Sequence, residues 1–279
     1  MSGDTFDAGW LALREEADHR ARSRSLVHRL RQEGRQRGWS RLVDLGSGTG
    51  SNLRYIAARV PWARRWLLLD HDPVLLDEVT APFEGVEIET VVGTLDAAGL
   101  DAVDGADVVT ASALLDLVSD AWLERLRDRC AETGAGAYFA LSYDGTVRWD
   151  DPGADRSLDD LVRDAVNRHQ RRDKGMGPAL GPDAGDRAAE IFREAGYAVR
   201  VEASPWILHG GPDRGLITEL VDGWVEAALE VLPEDATRLR GWRDAKLEAV
   251  RQGRAGVEVG HVDVLAIPGE SGGAAHPVP

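Results

Sequence analysis

Five short apolar runs between residues 41 and 142 constrain the fold of this chain more than any other feature. They are RLVDLG, RWLLLD, VEIETVVG, ADVVTAS and GAYFALS, and helical stretches such as SNLRYIAARV and DAWLERLRDRCAE separate them. Near-continuous apolar strands that alternate with helices are typical of a parallel sheet covered on both faces. The pattern therefore predicts an α/β domain built on a doubly wound sheet.

This alternation is interrupted twice after the fifth run. Residues 143–183 and 205–256 contain helical stretches that we interpret as inserts, while AVRVEAS and VEVGHVDVLAIP continue the sheet as its sixth and seventh strands. We therefore expect an N-terminal helical segment at 1–38 and a single domain at 39–267 that carries both inserts. The glycine-rich tail at 268–279 is predicted to be disordered.

Composition limits the classes of partner. The chain has 279 residues and a formal net charge of −15, which argues against a nucleic-acid partner because phosphate binding needs a basic surface. Cys130 is the single cysteine, so no intramolecular disulfide can form. We see neither a secretory signal nor an apolar run of about 18 residues, and so expect a cytoplasmic protein without a membrane partner. The sequence leaves the oligomeric state open, a homodimer included.

The stretch VDLGSGTGSN at 43–52 joins the first strand to the first helix of the domain. Glycines at Gly46, Gly48 and Gly50 would let a ligand lie against backbone N–H groups and the start of the helix. A dinucleotide is one candidate ligand, but its G-x-G-x-x-G fingerprint requires the third glycine one position later. An NAD-dependent oxidoreductase is therefore a weaker alternative.

The glycine spacing resembles the first motif of the class I S-adenosylmethionine-dependent methyltransferases. Asp70 ends RWLLLD as the family's acid ends its second strand, and VVTASALLDLVS and EIFREAGYAVRVEAS are similar to its fourth-strand and sixth-strand segments. The resemblance covers residues 38–142 and 184–267 in pattern, although its specific motifs are only the glycine loop and Asp70. It implies a seven-stranded, mostly parallel Rossmann-like sheet with an antiparallel last strand, and S-adenosylmethionine as the cofactor.

The resemblance also implies roles at the cofactor site. The Asp70 carboxylate would accept hydrogen bonds from both ribose hydroxyls, and Asp44 would orient the loop and favour the cationic end of the cofactor. The adenine would lie after the third strand, where we favour Asp96, with Thr94 as the alternative in register. The predicted cofactor-binding residues are Asp44, Gly46, Ser47, Gly48, Gly50, Asn52, Asp70, His71, Thr94, Leu95, Asp96 and Ser112.

Acceptor-side residues are sought near the first insert, which leaves the ligand-binding edge of the sheet. A hydroxyl or ammonium acceptor needs a base, and His169 in NRHQRRDKG is our first candidate. For NRHQRRDKG the alternative is an ordinary helix end, where basic residues are favoured by the helix dipole. For the tryptophans the alternative is a place in the hydrophobic core. The predicted catalytic residues are His169, Asp116 and Tyr143, and the predicted substrate-binding residues are Trp149, Arg171, Arg172 and Trp206.

We therefore predict an enzyme that moves a methyl group from S-adenosylmethionine to an oxygen or nitrogen atom of a small-molecule acceptor. The main alternative is a non-catalytic protein that binds S-adenosylmethionine or S-adenosylhomocysteine, since no catalytic base is certain. The seven histidines show no H-x-x-x-H or H-E-x-x-H spacing, so we expect no metal site.

Overall fold

The computed structural model of this chain describes residues 7–151 and 155–269, so most of the predicted tail lies outside the described residues. The described strands are β1 (Arg41–Leu45), β2 (Arg65–Asp70), β3 (Glu87–Val92), β4 (Val108–Ser112), β5 (Gly136–Asp150), β6 (Ala198–Ala203), β7 (Trp206–His209) and β8 (Gly256–Ile267). The described α-helices are α1 (Ala8–Ala21), α2 (Arg24–Arg37), α3 (Ser51–Ala57), α4 (Pro73–Asp77), α5 (Asp120–Thr133), α6 (Arg156–Gln170), α7 (Ala184–Glu194), α8 (Arg214–Val231) and α9 (Ala236–Arg251).

The strands form one mixed sheet in the order β3-β2-β1-β4-β5-β8-β6. Strands β1 to β5 are parallel, and β8 runs antiparallel to both β5 and β6. The strand order reverses between β1 and β4, which is the point where ligands bind in open α/β sheets. The predicted doubly wound fold with an antiparallel last strand is confirmed. One strand was not predicted: β7 lies in the second insert and pairs with the first half of β8.

Strand β5 is longer than the sequence pattern indicates. The apolar run ends at Ser142, whereas the strand continues to Asp150 along β8. Two register shifts, between Phe139 and Ser142 and between Tyr143 and Val147, interrupt the pairing. Such bulges move side chains off the regular alternation, which explains why YDGTVRWD does not look like a strand in the sequence.

Three clusters of buried side chains surround the sheet. One packs β1, β4 and β5 against α5 and α7, and another packs the opposite face against α2 and α3. The third joins α1 to α6, α8, α9 and β7, so the helices of both inserts share a core with the N-terminal segment. Among the described residues, no helix is both long and apolar enough to cross a membrane.

Asp263 on β8 is a buried acceptor that joins three parts of the chain. It is fully buried and accepts hydrogen bonds from Ser23 N (2.9 Å), Leu141 N (2.9 Å) and the Tyr138 hydroxyl (3.0 Å). Leu141 has a φ of 55°, a left-handed conformation that a leucine rarely adopts. The carboxylate thus fixes the α1–α2 link and an unfavourable turn of β5 at once.

We predict that Asp263→Ala lowers the free energy of unfolding by about 3 kcal/mol or more, because two backbone donors and a tyrosine hydroxyl lose their buried acceptor. Urea unfolding followed by circular dichroism measures the change. The matched control is Glu258→Ala on the same strand, whose partner Arg148 is largely exposed, and it should cost below about 1 kcal/mol. Similar small losses in both variants would contradict this account of Asp263.

Candidate active site

The loop after β1 has the backbone conformation for which its glycines are required. Gly46, Gly48 and Gly50 have φ values of 64°, 51° and 82°, a region that disfavours side chains. Ser47 N donates to Leu69 O at 3.0 Å, which ties the loop to the end of β2. Gly50 then precedes the first turn of α3. The loop therefore leads directly into a helix N-terminus at the carboxyl edge of the sheet.

Asp70, the last residue of β2, lies next to this loop. Its Oδ2 accepts a hydrogen bond from Gly48 N at 2.8 Å, and its Oδ1 accepts from Asp72 N at 3.0 Å. The carboxylate is buried, and the ring Nδ1 of His71 lies 3.2 Å from Oδ1. A glycine backbone and a carboxylate are thus brought together by two adjacent parallel strands.

A cavity of about 490 Å³ opens beside the loop and Asp70. Most of the predicted cofactor-binding residues line it, namely Gly46, Ser47, Gly48, Asn52, Asp70, His71, Thr94, Leu95 and Ser112. Three do not. Asp44 is buried behind the loop, Gly50 begins the turn into α3, and Asp96 is exposed and paired with Arg125 at 2.5 Å. Of the two alternatives after β3, Thr94 lines the cavity and Asp96 does not.

Several lining residues were not predicted. Leu11, Arg14 and Asp18 come from α1, and Lys174, Gly175 and Met176 come from the loop after α6. The remaining additions are Thr49, Ser51, Leu69, Leu75, Gly93, Ala113, Leu114 and Leu117. The helical segment at 1–38 was predicted, but nothing in its sequence indicates which part of the domain it covers. The N-terminal segment therefore forms part of the cavity wall.

Arg14 and Asp18 form the polar part of that wall. Arg14 Nε donates to Asp18 Oδ2 at 2.9 Å, and Trp206 Nε1 donates to Asp18 Oδ1 at 3.0 Å. The Arg14 guanidinium also lies 5.0 Å from the centre of the Trp206 ring. Trp206, predicted to contact the acceptor, thus lies behind the cavity wall, and its opposite neighbour is the buried His261 ring at 4.9 Å.

Basic residues predicted on the acceptor side are engaged by acids outside the cavity. His169 and Arg172 both contact Glu230, at 3.2 Å and 2.6 Å, and Arg171 is paired with Asp183 at 2.9 Å. Burial, followed by the charge of Lys174, lowers the pKa of His169. The structure brings the following loop, rather than these side chains, to the cavity.

The remaining predicted residues also lie outside the cavity lining. Tyr143 donates its hydroxyl to Asn167 Oδ1 at 2.9 Å, and burial raises its pKa. Trp149 packs edge-to-face against Trp224 and Trp242 in the core shared by the inserts. Asp116 lies in the 3₁₀ turn Leu115–Leu117 after β4, beside the lining residues Leu114 and Leu117.

Comparison with protein families identifies part of the chain. Residues 42–134, from β1 to α5, match a family model described as a methyltransferase domain. The chain contains a methyltransferase domain. The match confirms the expected class I family and S-adenosylmethionine as the cofactor of such a domain, whereas the methyl acceptor is not identified by it. Among curated proteins, none is significantly similar to the chain in sequence.

Solved structures similar to this chain are distant. An O-methyltransferase family protein from Burkholderia thailandensis is 16% identical over 92% of this chain and 59% of its own, with a TM-score of 0.43. The phosphoethanolamine N-methyltransferase 2 of Haemonchus contortus, in complex with phosphomonomethylethanolamine and S-adenosylhomocysteine, is 14% identical over 88% of this chain and 52% of its own, at 0.39. The chain thus spans little more than half the length of these two proteins.

A third structure, a methyltransferase from Geobacter sulfurreducens in complex with S-adenosylhomocysteine, is 18% identical over 94% of this chain and 99% of its own. Its TM-score is 0.44.

Behind the glycine loop, the methyltransferase domain buries a polar cluster within an apolar layer. Asp44 Oδ1 accepts a hydrogen bond from Asn52 Nδ2 at 2.7 Å, and the same amide donates to Thr110 Oγ1 at 2.7 Å. Burial raises the pKa of Asp44 to about 7, against the opposing effects of the Asn52 hydrogen bond and the Arg22 charge. Asp44 Oδ2 is buried without a hydrogen-bond partner among the described residues. Such an acceptor fits a ligand whose cationic end lies near the loop.

We predict that Asp44 makes stability depend on pH. Because its pKa is raised in the folded protein, the stability that Asp44 contributes is fully present below 3.8, its pKa in the unfolded chain. That stability is lost as the pH rises through about 7. Relative to wild type, Asp44→Asn should therefore gain about 2–3 kcal/mol in the free energy of unfolding between about pH 5 and about pH 8. Urea titrations at both pH values test this, with the exposed Asp77→Asn as the control. A stability difference between Asp44→Asn and wild type that is the same at both pH values would exclude a raised pKa of Asp44.

Proposed function

We propose that this chain is an S-adenosylmethionine-dependent methyltransferase that transfers a methyl group to an oxygen or nitrogen atom of a small-molecule acceptor. The observation that carries the proposal is the cavity beside Gly48 and Asp70, walled by α1 and by the loop at 174–176. In the proposal the enzyme acts in the cytoplasm. The net charge of −15 supports a small acceptor over a nucleic acid.

The chemical groups that line the cavity suit the groups of the cofactor. The Asp70 carboxylate would accept both ribose hydroxyls, Thr94 and Leu95 would border the adenine, and the loop N–H groups would face the amino-acid end. The partnerless Asp44 Oδ2 behind the loop favours positive charge there. When bound, the cofactor supplies a methyl group on a sulfonium, which is already reactive toward a positioned nucleophile. The main task of this chain is then to orient the acceptor and exclude water.

The acceptor would enter between α1 and the loop at 174–176. Leu11, Leu114, Leu117 and Met176 present apolar surface to the cavity, and Arg14 lies at its edge already paired with Asp18. Apolar walls with a few polar groups are typical of sites for small molecules. A small acceptor with an apolar body therefore agrees best with this lining.

Titration calorimetry tests the cofactor first. S-adenosylmethionine and S-adenosylhomocysteine should each bind at a single site. NAD should not bind, because its G-x-G-x-x-G fingerprint does not match the glycine spacing of this loop. Formation of S-adenosylhomocysteine over a panel of phenols, carboxylates and amines then separates an enzyme from a binding protein. Binding of NAD in place of S-adenosylmethionine would overturn the proposal. Cofactor binding without turnover on any acceptor would support the non-catalytic alternative.

We predict that Asp70→Asn weakens S-adenosylhomocysteine binding by about 10-fold to 100-fold, because the charge-assisted hydrogen bonds to the ribose become neutral ones. Calorimetry at neutral pH measures the dissociation constant. Asp77→Asn, on the exposed end of α4, is the matched control and should bind as wild type does. Equal affinities for the wild-type and Asp70→Asn proteins would remove the ribose role of Asp70.

The predicted contact between the methyl acceptor and the basic end of α6 needs a separate test. A double variant, His169→Ala with Arg171→Ala, and a single Met176→Ala variant are compared in KM for the acceptor and in turnover. Loss of turnover in the double variant at saturating acceptor would support the predicted role of His169. Full turnover there, with a raised KM in Met176→Ala, would assign the contact to the loop at 174–176.

A further inference from the structure

Arg22 is a buried cation at the link between α1 and α2. Its side chain is 3% exposed, and its guanidinium lies 4.5 Å from the centre of the Tyr55 ring and 5.2 Å from that of Tyr138. Its Nη1 donates to Asn52 Oδ1 at 2.9 Å, while Nε and Nη2 are buried without a partner among the described residues. Burying a charge that is only partly satisfied is costly. Tyr138 and Asp263 offset part of this cost electrostatically, and the hydrogen bond to Asn52 links the cation to a residue that lines the cavity.

Asn52 connects this cation to the cofactor site. Its amide oxygen accepts from Arg22, and its Nδ2 donates to Asp44, so a cation and an anion fix the amide from its two ends. The same residue lines the cavity. A continuous line of hydrogen bonds thus runs from the end of α1, through the cavity wall, to the carboxylate behind the glycine loop.

We propose that Arg22 is a positioning residue for the cofactor: through Asn52 it holds the Asp44 carboxylate in place behind the glycine loop. The inference rests on the proposed function, since it concerns the same cofactor site. It adds a residue that does not line the cavity and that the glycine-loop motif does not contain. Because Arg22 directly follows α1, it also joins this carboxylate to the helix that supplies Leu11, Arg14 and Asp18 to the cavity wall.

The charges around Asp44 determine the expected effect. Arg22 faces it from the α1–α2 link and favours the carboxylate, whereas Asp70 at the end of β2 disfavours it. Asn52 on α3 and Thr110 on β4 face it as neutral groups. Without the Arg22 cation, only the Asn52 hydrogen bond still opposes burial and Asp70, so the balance shifts toward the uncharged acid. An uncharged Asp44 attracts the ammonium group of the ligand less, so affinity should weaken first at low pH.

The experiment measures S-adenosylhomocysteine affinity by calorimetry between about pH 6 and about pH 8.5 for wild type, Arg22→Met and Arg59→Met. Arg59 is the matched control because its guanidinium lies 3.8 Å from the centre of the same Tyr55 ring but donates to Tyr55 O rather than to Asn52. We expect Arg22→Met to weaken binding about 10-fold near neutral pH and to move the low-pH loss of affinity up by about one pH unit. Arg59→Met should follow the wild-type curve.

A second variant covers the case in which Arg22→Met shows no cooperative melting transition in circular dichroism. Asn52→Leu breaks the same line between Arg22 and Asp44 while leaving both charges, and it should move the low-pH loss of affinity in the same direction. A folded Arg22→Met protein, or failing that a folded Asn52→Leu protein, with the wild-type pH profile would overturn the inference. Absence of binding by wild type would instead overturn the proposed function.

Discussion

The hydrogen bond from Gly48 N to the Asp70 carboxylate is the interaction on which the candidate site depends. It requires β1 and β2 to be neighbours that end at the same edge, and it requires the left-handed backbone of Gly48. A Cβ at this position would also lie 2.8 Å from Leu11 Cδ1. The sheet order, the loop and the packing of α1 are therefore constrained together at one residue.

A second constraint is the polar line across an otherwise apolar layer of the sheet. Asp44, Asn52 and Arg22 connect the glycine loop to the N-terminal helices, and Asp263 on β8 accepts a hydrogen bond from Ser23 N of the same α1–α2 link. Polar groups buried in this way are costly when unpaired and specify geometry when paired. The arrangement makes the N-terminal segment a structural part of the methyltransferase domain's cavity, even though the family match begins only at residue 42.

The sequence was sufficient for features that local patterns determine. Apolar runs indicated the strands and their class, and the glycine spacing with Asp70 indicated where the cavity would lie. Leu11 and Arg14 could not be assigned, because the sequence of α1 has no clear apolar face that would show which of its side chains are covered. The choice between Thr94 and Asp96 could not be made for a related reason: the two residues lie two positions apart after β3, and the sequence does not show that Thr94 lines the cavity while Asp96 pairs with Arg125. The long β5 was missed because its bulges break the alternation that marks a strand.

The account's central claim is that the glycine-loop backbone and one carboxylate together hold the adenosine part that S-adenosylmethionine and S-adenosylhomocysteine share. A crystal structure of this chain soaked with S-adenosylhomocysteine tests it most directly. We expect the ribose hydroxyls within hydrogen-bonding distance of Asp70, with the nucleoside against the Gly46–Gly50 loop and beneath α1. An empty cavity at saturating ligand, or ligand bound elsewhere on the chain, would contradict the account.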